Sequence, residues 1–334
     1  MESDQWTELF APKRKLETTP SFTLWEAQDL ATSRPVFLTA SKLPSFAPIA
    51  PSRKVMHELA GSPGVPAVVW EGETAFAVQE SGTSVWEMVE KSGRMGEDAV
   101  RKLGVGLLRT LEAVLHRGYF HLRLSPGYIR LEPAGKDYWV QGFEGAHSAN
   151  DVSVLIPALA LPFASTHLLQ GERPSPRDDL ESLSYVLLFA ATGDLPWQDA
   201  RTSTEVLAIR KSIPSGQIMA GLPEDFAYFH TYVSKLEAEE RPNYRALRHR
   251  FTAKIGNQQT SAQTIDRLWV RKRYNRRASE PFVCAEEAAV PKLSLDLSTS
   301  QDSAVPSTLE RCDTVKTLKL PCLPAKLRNY RQTI

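Results

Sequence analysis

The spacing of apolar residues changes character along the chain. Between Ser21 and Val78 they fall in short runs, Phe22 to Trp25, Val36 to Leu38, Ala67 to Trp70 and Ala75 to Val78, with the length and the β-branched or aromatic content of strands. Ser52 to Ala60 reads instead as a short helix, ended by Gly61-Ser62-Pro63-Gly64, since glycine and proline punctuate a helix end. Beyond Gly82 the period becomes helical. Val100, Leu103, Leu107, Leu108, Leu111, Val114 and Leu115 recur at spacings of three and four, giving one apolar stripe. Leu180, Leu183, Val186, Leu187 and Ala190 repeat the pattern among further apolar residues, which predicts a helix buried on most sides. A small β-rich half carrying one helix, followed by a larger helical half, is an α+β, two-lobed architecture.

After about Ile255 this periodicity fades. Asp266 to Arg277 is basic and aromatic, and from Ala278 onward Ser, Thr, Pro and acidic residues give the composition of a disordered tail. Residues 1–15 are polar, end in Lys13-Arg14-Lys15, and read as a flexible lead-in. The expected division is a lead at 1–15, a folded domain at 16–256 with its small lobe at 16–80 and its large lobe at 81–256, and a tail at 257–334.

The 334 residues are 42% hydrophobic and 24% charged, the balance of a soluble globular protein. A net charge of +1 argues against a general polyanion binder. No apolar run approaches the ~20 residues that span a bilayer, and Met1-Glu2-Ser3-Asp4-Gln5-Trp6 lacks the basic start and apolar core of a secretory signal. Cys284, Cys312 and Cys322 all fall in the tail without metal-site spacing, so a reducing compartment, cytoplasmic and/or nuclear, is expected. His57, His116, His147, His167 and His230 form no ligand spacing either.

Segments in matching order resemble the casein kinase I family of protein kinases. They are Gly64-Val65-Pro66 followed by Trp70, then Phe163-Ala164-Ser165, then Arg177-Asp178-Asp179-Leu180-Glu181-Ser182-Leu183 through Gly193-Asp194-Leu195-Pro196-Trp197, and finally Arg241-Pro242-Asn243-Tyr244-Arg245-Ala246-Leu247-Arg248. The resemblance runs from about Ser21 to Phe251 and implies a protein-kinase-like fold. It implies structural roles for Asp179, Trp197, Arg241 and Tyr244, with Asp179 accepting backbone N–H bonds from the catalytic-loop region.

Phosphoryl transfer needs a phosphate cover, a cation, metal-holding oxygens and a base. In the register that the resemblance sets, the glycine-rich cover becomes Glu17-Thr18-Thr19-Pro20-Ser21-Phe22, without glycine. Thr39 stands for the lysine, Ser52 for its glutamate partner, Arg123 for the base, Ser125 for the lysine after it, and Tyr128 and Gly142 for the metal ligands. An arginine cannot accept the proton, and Gly142 offers no side-chain oxygen to magnesium. Phe37, Tyr128 and Arg130 are expected to fill the cleft, and neither a cofactor nor a metal is expected. Pro162 replaces the arginine of the family's anion site, and Thr204-Glu205-Val206-Leu207 replaces a later basic run.

These readings predict a pseudokinase: not an enzyme, but a protein-binding, scaffold or regulatory module. Its expected partners are other proteins, an active kinase of the same family among them. One alternative is an atypical nucleotide-binding enzyme with weak serine/threonine kinase activity, which would bring Lys42 and Glu144 within salt-bridge reach. Another is a nuclear or RNA-associated adaptor driven by the basic run Arg271 to Arg277, which has the composition of an import signal. Nucleic-acid binding is not expected, because one short basic patch on a near-neutral chain is weak support for it; nor is membrane association. Arg276-Arg277-Ala278-Ser279-Glu280-Pro281 suits a basophilic kinase, and phosphorylated Ser279 would suit a phosphoserine-reading adaptor.

Overall fold

The computed structural model describes residues 5–256 except 19–21, 43–48, 80–81, 133–134, 136, 144–145, 149–159 and 215. Strands β1 (Phe10–Thr18), β2 (Phe22–Asp29), β3 (Pro35–Ser41), β4 (Val68–Glu71) and β5 (Ala75–Gln79) form an antiparallel sheet in the order β1-β2-β3-β5-β4. Helix α1 (Ala50–Leu59) is inserted between β3 and β4. The first strand corrects the expected flexible lead over residues 1–15. Gln5–Glu8 is a 3-10 turn, and β1 pairs with β2 from Phe10 onward. Its Pro12, Lys13, Arg14 and Lys15 are exposed on an edge strand, the composition that discourages further pairing. That same polarity makes the strand resemble a solvated lead.

Alternation along the strands gives the sheet two faces. Phe22, Leu24, Phe37, Phe76 and Val78 join the main core, whereas Ala27, Val36, Leu38, Ala40, Ala75 and Ala77 pack with Phe10 beneath Trp6, Trp25 and Trp70. The β1–β2 register slips twice, between Pro12 and Arg14 and between Lys15 and Glu17. The second bulge sets Glu17 opposite Leu24, on the face turned to the main core. Bulges re-aim side chains in this way.

The large lobe starts with β6 (Thr83–Ser84) and α2 (Val85–Ser92). Ser84 and Glu87 cap α2 reciprocally, Glu87 N donating to Ser84 Oγ at 3.1 Å and Ser84 N to Glu87 Oε2 at 2.8 Å. Next come α3 (Glu97–His116), β7 (Tyr119–Phe120), β8 (Ile129–Leu131), β9 (Tyr138–Val140), β10 (His147–Ser148), α4 (Thr166–Leu169), α5 (Pro176–Thr192), α6 (Ser203–Ser212), α7 (Glu224–Ser234) and α8 (Tyr244–Thr252). Strands β6, β8 and β9 form one small sheet, and β7 pairs with β10. Helix α5 lies at the centre, against α2, α3, α4 and α7. Every residue from Asp178 to Ala191 is buried. Gly193 ends α5 at φ 82°, the left-handed conformation for which glycine has no steric penalty.

Ion pairs join the surrounding helices: Arg101 of α3 donates to Asp225 of α7 at 2.9 Å, and Arg248 of α8 pairs with Glu112 of α3. No helix of the described residues is long and apolar enough to cross a membrane. Asp266 to Arg277, Ser279, the three cysteines and the rest of the 257–334 segment lie outside the described residues.

Candidate functional site

The segment from His121 to Ser125, between β7 and β8, has no regular structure, so its backbone donors need partners from elsewhere. Asp179, in the first turn of α5, supplies two acceptors. Its Oδ2 accepts from His121 N at 2.8 Å and its Oδ1 from Leu122 N at 2.7 Å. Leu122 sits at φ 58°, a left-handed conformation that costs a side-chain-bearing residue about 1–2 kcal/mol. Burial pushes the Asp179 carboxyl up to about 7, against the lowering effect of the two donors.

His121 is completely buried and edge-on to Phe143, with ring centroids 4.8 Å apart. Its Nε2 donates to Gln141 O at 2.8 Å, because that carbonyl can only accept, and its Nδ1 accepts from Arg123 N at 3.3 Å. Both bonds suit the neutral ring, and burial lowers its pKa to about 4.

Arg123 and Tyr128 reach across to the sheet. Glu17, aimed by the β1 bulge, accepts from Arg123 Nη2 on one oxygen and from Tyr128 Oη on the other. All three residues are buried. A buried charge is tolerated when it is paired and hydrogen-bonded, and here both conditions hold. A second pair lies beside the first. Arg130 Nη2 donates to Glu26 Oε1 at 2.6 Å and Nη1 to Gly82 O at 3.2 Å, while the guanidinium lies 4.9 Å from the Phe37 ring centroid. Glu26 stands opposite Phe37 in the β2–β3 register and also takes Arg14 at 2.8 Å and 2.5 Å. Glu87 of α2 lies 3.8 Å from Arg130 and 3.7 Å from Arg14. Both carboxylates, Glu17 and Glu26, come from the sheet lobe, and both buried guanidiniums come from the large lobe.

The remaining positions singled out in the sequence surround this network. Thr39 is buried on β3, opposite Leu24 and Phe76, and Ser52 is buried on α1. Among the described residues the buried Ser125 hydroxyl has no hydrogen-bond partner. Gly142 has φ 91°, and a Cβ there would stand 3.4 Å from the Tyr128 ring and 3.6 Å from His121 Cε1. Lys42, just past the end of β3, is exposed, and Glu144 lies outside the described residues. Among the described residues no group of three or more His, Cys, Asp or Glu is placed to hold a metal ion.

The sequence pointed to Phe37, Tyr128 and Arg130 for this region but not to Glu26, and Glu17 stood out only as the first residue of the glycine-free cover segment. A signal was present. Leu122-Arg123-Leu124 and Ile129-Arg130-Leu131 each set an arginine between apolar residues, and a guanidinium buried there requires an acid from another element.

Trp197 is fully buried and donates to Pro162 O at 2.6 Å. Tyr244 is buried at the start of α8, behind Asn243, whose Oδ1 accepts from Ala246 N at 3.0 Å. Arg241 is exposed ahead of α8. The buried guanidinium beneath the 162–164 segment belongs to Arg210 of α6. It donates to Ala164 O at 2.7 Å and Pro162 O at 3.0 Å, and lies 4.0 Å from the Tyr185 ring centroid. Its burial lowers its pKa.

No protein-family model matches the chain. Curated relatives do. Casein kinase 1-like protein HD16 of Oryza sativa subsp. japonica is 26% identical over 216 residues, covering 58% of this chain and 31% of that protein. Casein kinase I homolog 3 of Schizosaccharomyces pombe is 23% identical over 265 residues, 68% of this chain and 58% of that one. A probable casein kinase I homolog of Encephalitozoon cuniculi is 29% identical over 175 residues, 47% of this chain and 57% of that one. The chain is casein kinase I-like.

The casein kinase I-like chain thus spans between 31% and 58% of the length of these relatives. Its sheet lobe and helical lobe are the two halves that the resemblance implied. The kinship also corrects the expectation that the chain is not an enzyme, because the relatives bear the names of kinases. The residues at Thr39, Arg123, Tyr128 and Gly142 describe what the site is made of, not its turnover.

Proposed function

We propose that this casein kinase I-like chain is a protein-binding module with a scaffold or regulatory role, and that one partner is an active kinase of the same family. The observation that carries the reading is Glu17 bonded to both Arg123 and Tyr128, so that side chains of the two lobes occupy one another across the cleft. The large-lobe framework of Asp179, Trp197 and Tyr244 is packed in the same molecule, which supports a folded lobe that presents surfaces to partners. Within this proposal Ser279, once phosphorylated, would add a docking point for a phosphoserine-reading adaptor.

Binding and phosphate transfer are separable, and the names of the relatives favour a second reading. In it the chain is an atypical nucleotide-binding enzyme with weak serine/threonine kinase activity. One experiment separates the two. The purified full chain is mixed with a purified active casein kinase I and analysed by sedimentation, and in parallel it is melted with and without magnesium-ATP and assayed for phosphate transfer to casein. A complex carries the first reading. No complex, together with a nucleotide-induced rise in melting temperature and measurable transfer, replaces it with the second.

A further inference from the structure

We propose that Glu17 is a built-in anion that holds the two lobes closed, seated in an oxyanion-accepting pair formed by Arg123 and Tyr128. The pair presents what a phosphate or carboxylate seeks, a guanidinium and a hydroxyl side by side. In this chain the carboxylate comes from the chain's own first strand. Each component is positioned by an independent device. The bulge between Lys15 and Glu17 turns the acid inward. Arg123 N is held by His121 Nδ1, and the two residues before it are tied to Asp179 of the central helix. Tyr128 lies against the backbone at Gly142, where a side chain would touch its ring.

Glu26 and Arg130 act as a second pin, at 2.6 Å. Arg14 and Glu87 complete this second group on either side, so β1, β2, β8 and α2 meet in one charge cluster. The first pin is the more buried of the two, with 8% side-chain exposure at Glu17 against 17% at Glu26. Charge pairing is less screened in the drier site. Glu17 is therefore the dominant closure, and an external oxyanion at this seat competes with it.

The test is amide hydrogen exchange on the isolated full chain, so its outcome does not depend on whether a partner is found. It compares wild type, Glu17→Gln, Glu26→Gln and the double variant Glu17→Gln/Arg123→Gln, each with and without millimolar pyrophosphate. Glu17→Gln is expected to speed exchange in β1, β2 and residues 121–130 by about tenfold, the factor set by one charge-assisted bond, while α3 and α8 stay protected. Glu26→Gln has a smaller effect confined to β2 and β8. Pyrophosphate restores protection in Glu17→Gln and changes nothing in wild type. The double variant, which removes both charges of the Glu17–Arg123 pair, opens the same segments and does not respond to pyrophosphate. Unchanged exchange in Glu17→Gln, equal acceleration in α3 and α8, or protection of wild type by pyrophosphate would each overturn the proposal. If Glu17→Gln does not fold, wild-type protection of β1 in the double variant overturns it as well.

Discussion

Asp179 is the residue on which the catalytic-loop segment hangs, and replacing it with asparagine tests how. The amide keeps one carbonyl acceptor for His121 N or Leu122 N and turns an N–H toward the other donor. One buried donor is thereby orphaned, at a cost of about 1–3 kcal/mol. The carboxyl itself titrates unusually, from 3.8 up to about 7, because burial disfavours its charge. Between those values the folded state binds more protons than the unfolded one, so stability falls as pH rises. From pH 5 to pH 7 that loss is about 2 kcal/mol in wild type, since the slope of roughly 1.4 kcal/mol per unit halves as the carboxyl reaches its midpoint. Asparagine does not titrate. The variant should therefore be less stable than wild type at pH 5 and should close or reverse the gap by pH 8. Urea denaturation with linear extrapolation at the two pH values measures this, provided the m-value is unchanged. A gap that is the same at both pH values would show that Asp179 ionises as it does in water. A gap near zero at pH 5 would show that the protonated carboxyl serves the two N–H groups no better than the amide does.

Two further perturbations follow from other buried groups. His121 has the opposite slope: held neutral with its pKa lowered to about 4 from 6.5, it lets the unfolded state bind the extra proton. Its contribution is present above about pH 6.5 and is lost as pH falls toward 4, on the order of 3 kcal/mol. In His121→Gln that pH dependence should vanish from the melting profile, and a variant that keeps it would rule out His121 as its source. Arg210→Met removes two charge-assisted bonds to the Pro162 and Ala164 carbonyls, at about 1.5–3 kcal/mol each, offset in part by relief of a buried charge. A net loss of about 2–4 kcal/mol in urea is expected, and a loss below ~1 kcal/mol would mean the cluster is held by its rings alone.

The sequence made some of this legible and hid the rest for physical reasons. Helix α5 was readable because the apolar residues that bury it repeat at helical spacing, and its Pro176 start and Gly193 stop are explicit. Strands β2, β3 and β5 were readable because each carries a run of buried β-branched or aromatic residues. Strand β1 was not, since an exposed edge is built from the residues that also compose loops. The contact of Glu17 with Arg123 depends on a one-residue slip in strand register, which flips which face a side chain joins and leaves no composition signal. Arg210 shows the same limit from the other side, since the helix α6 that carries it is mostly polar in sequence and gives no sign that this one arginine turns inward.

Helix α5 touches α2, α3, α4 and α7 and also tethers the irregular segment above it through Asp179. Such an element has no private way to come apart. Its amides can reach solvent only when all its neighbours leave together, so their exchange should report the free energy of the whole unfolding reaction. The α5 amides are thus a natural gauge of global stability for every variant described above, with β1 at the edge as the counterpart that reports local opening.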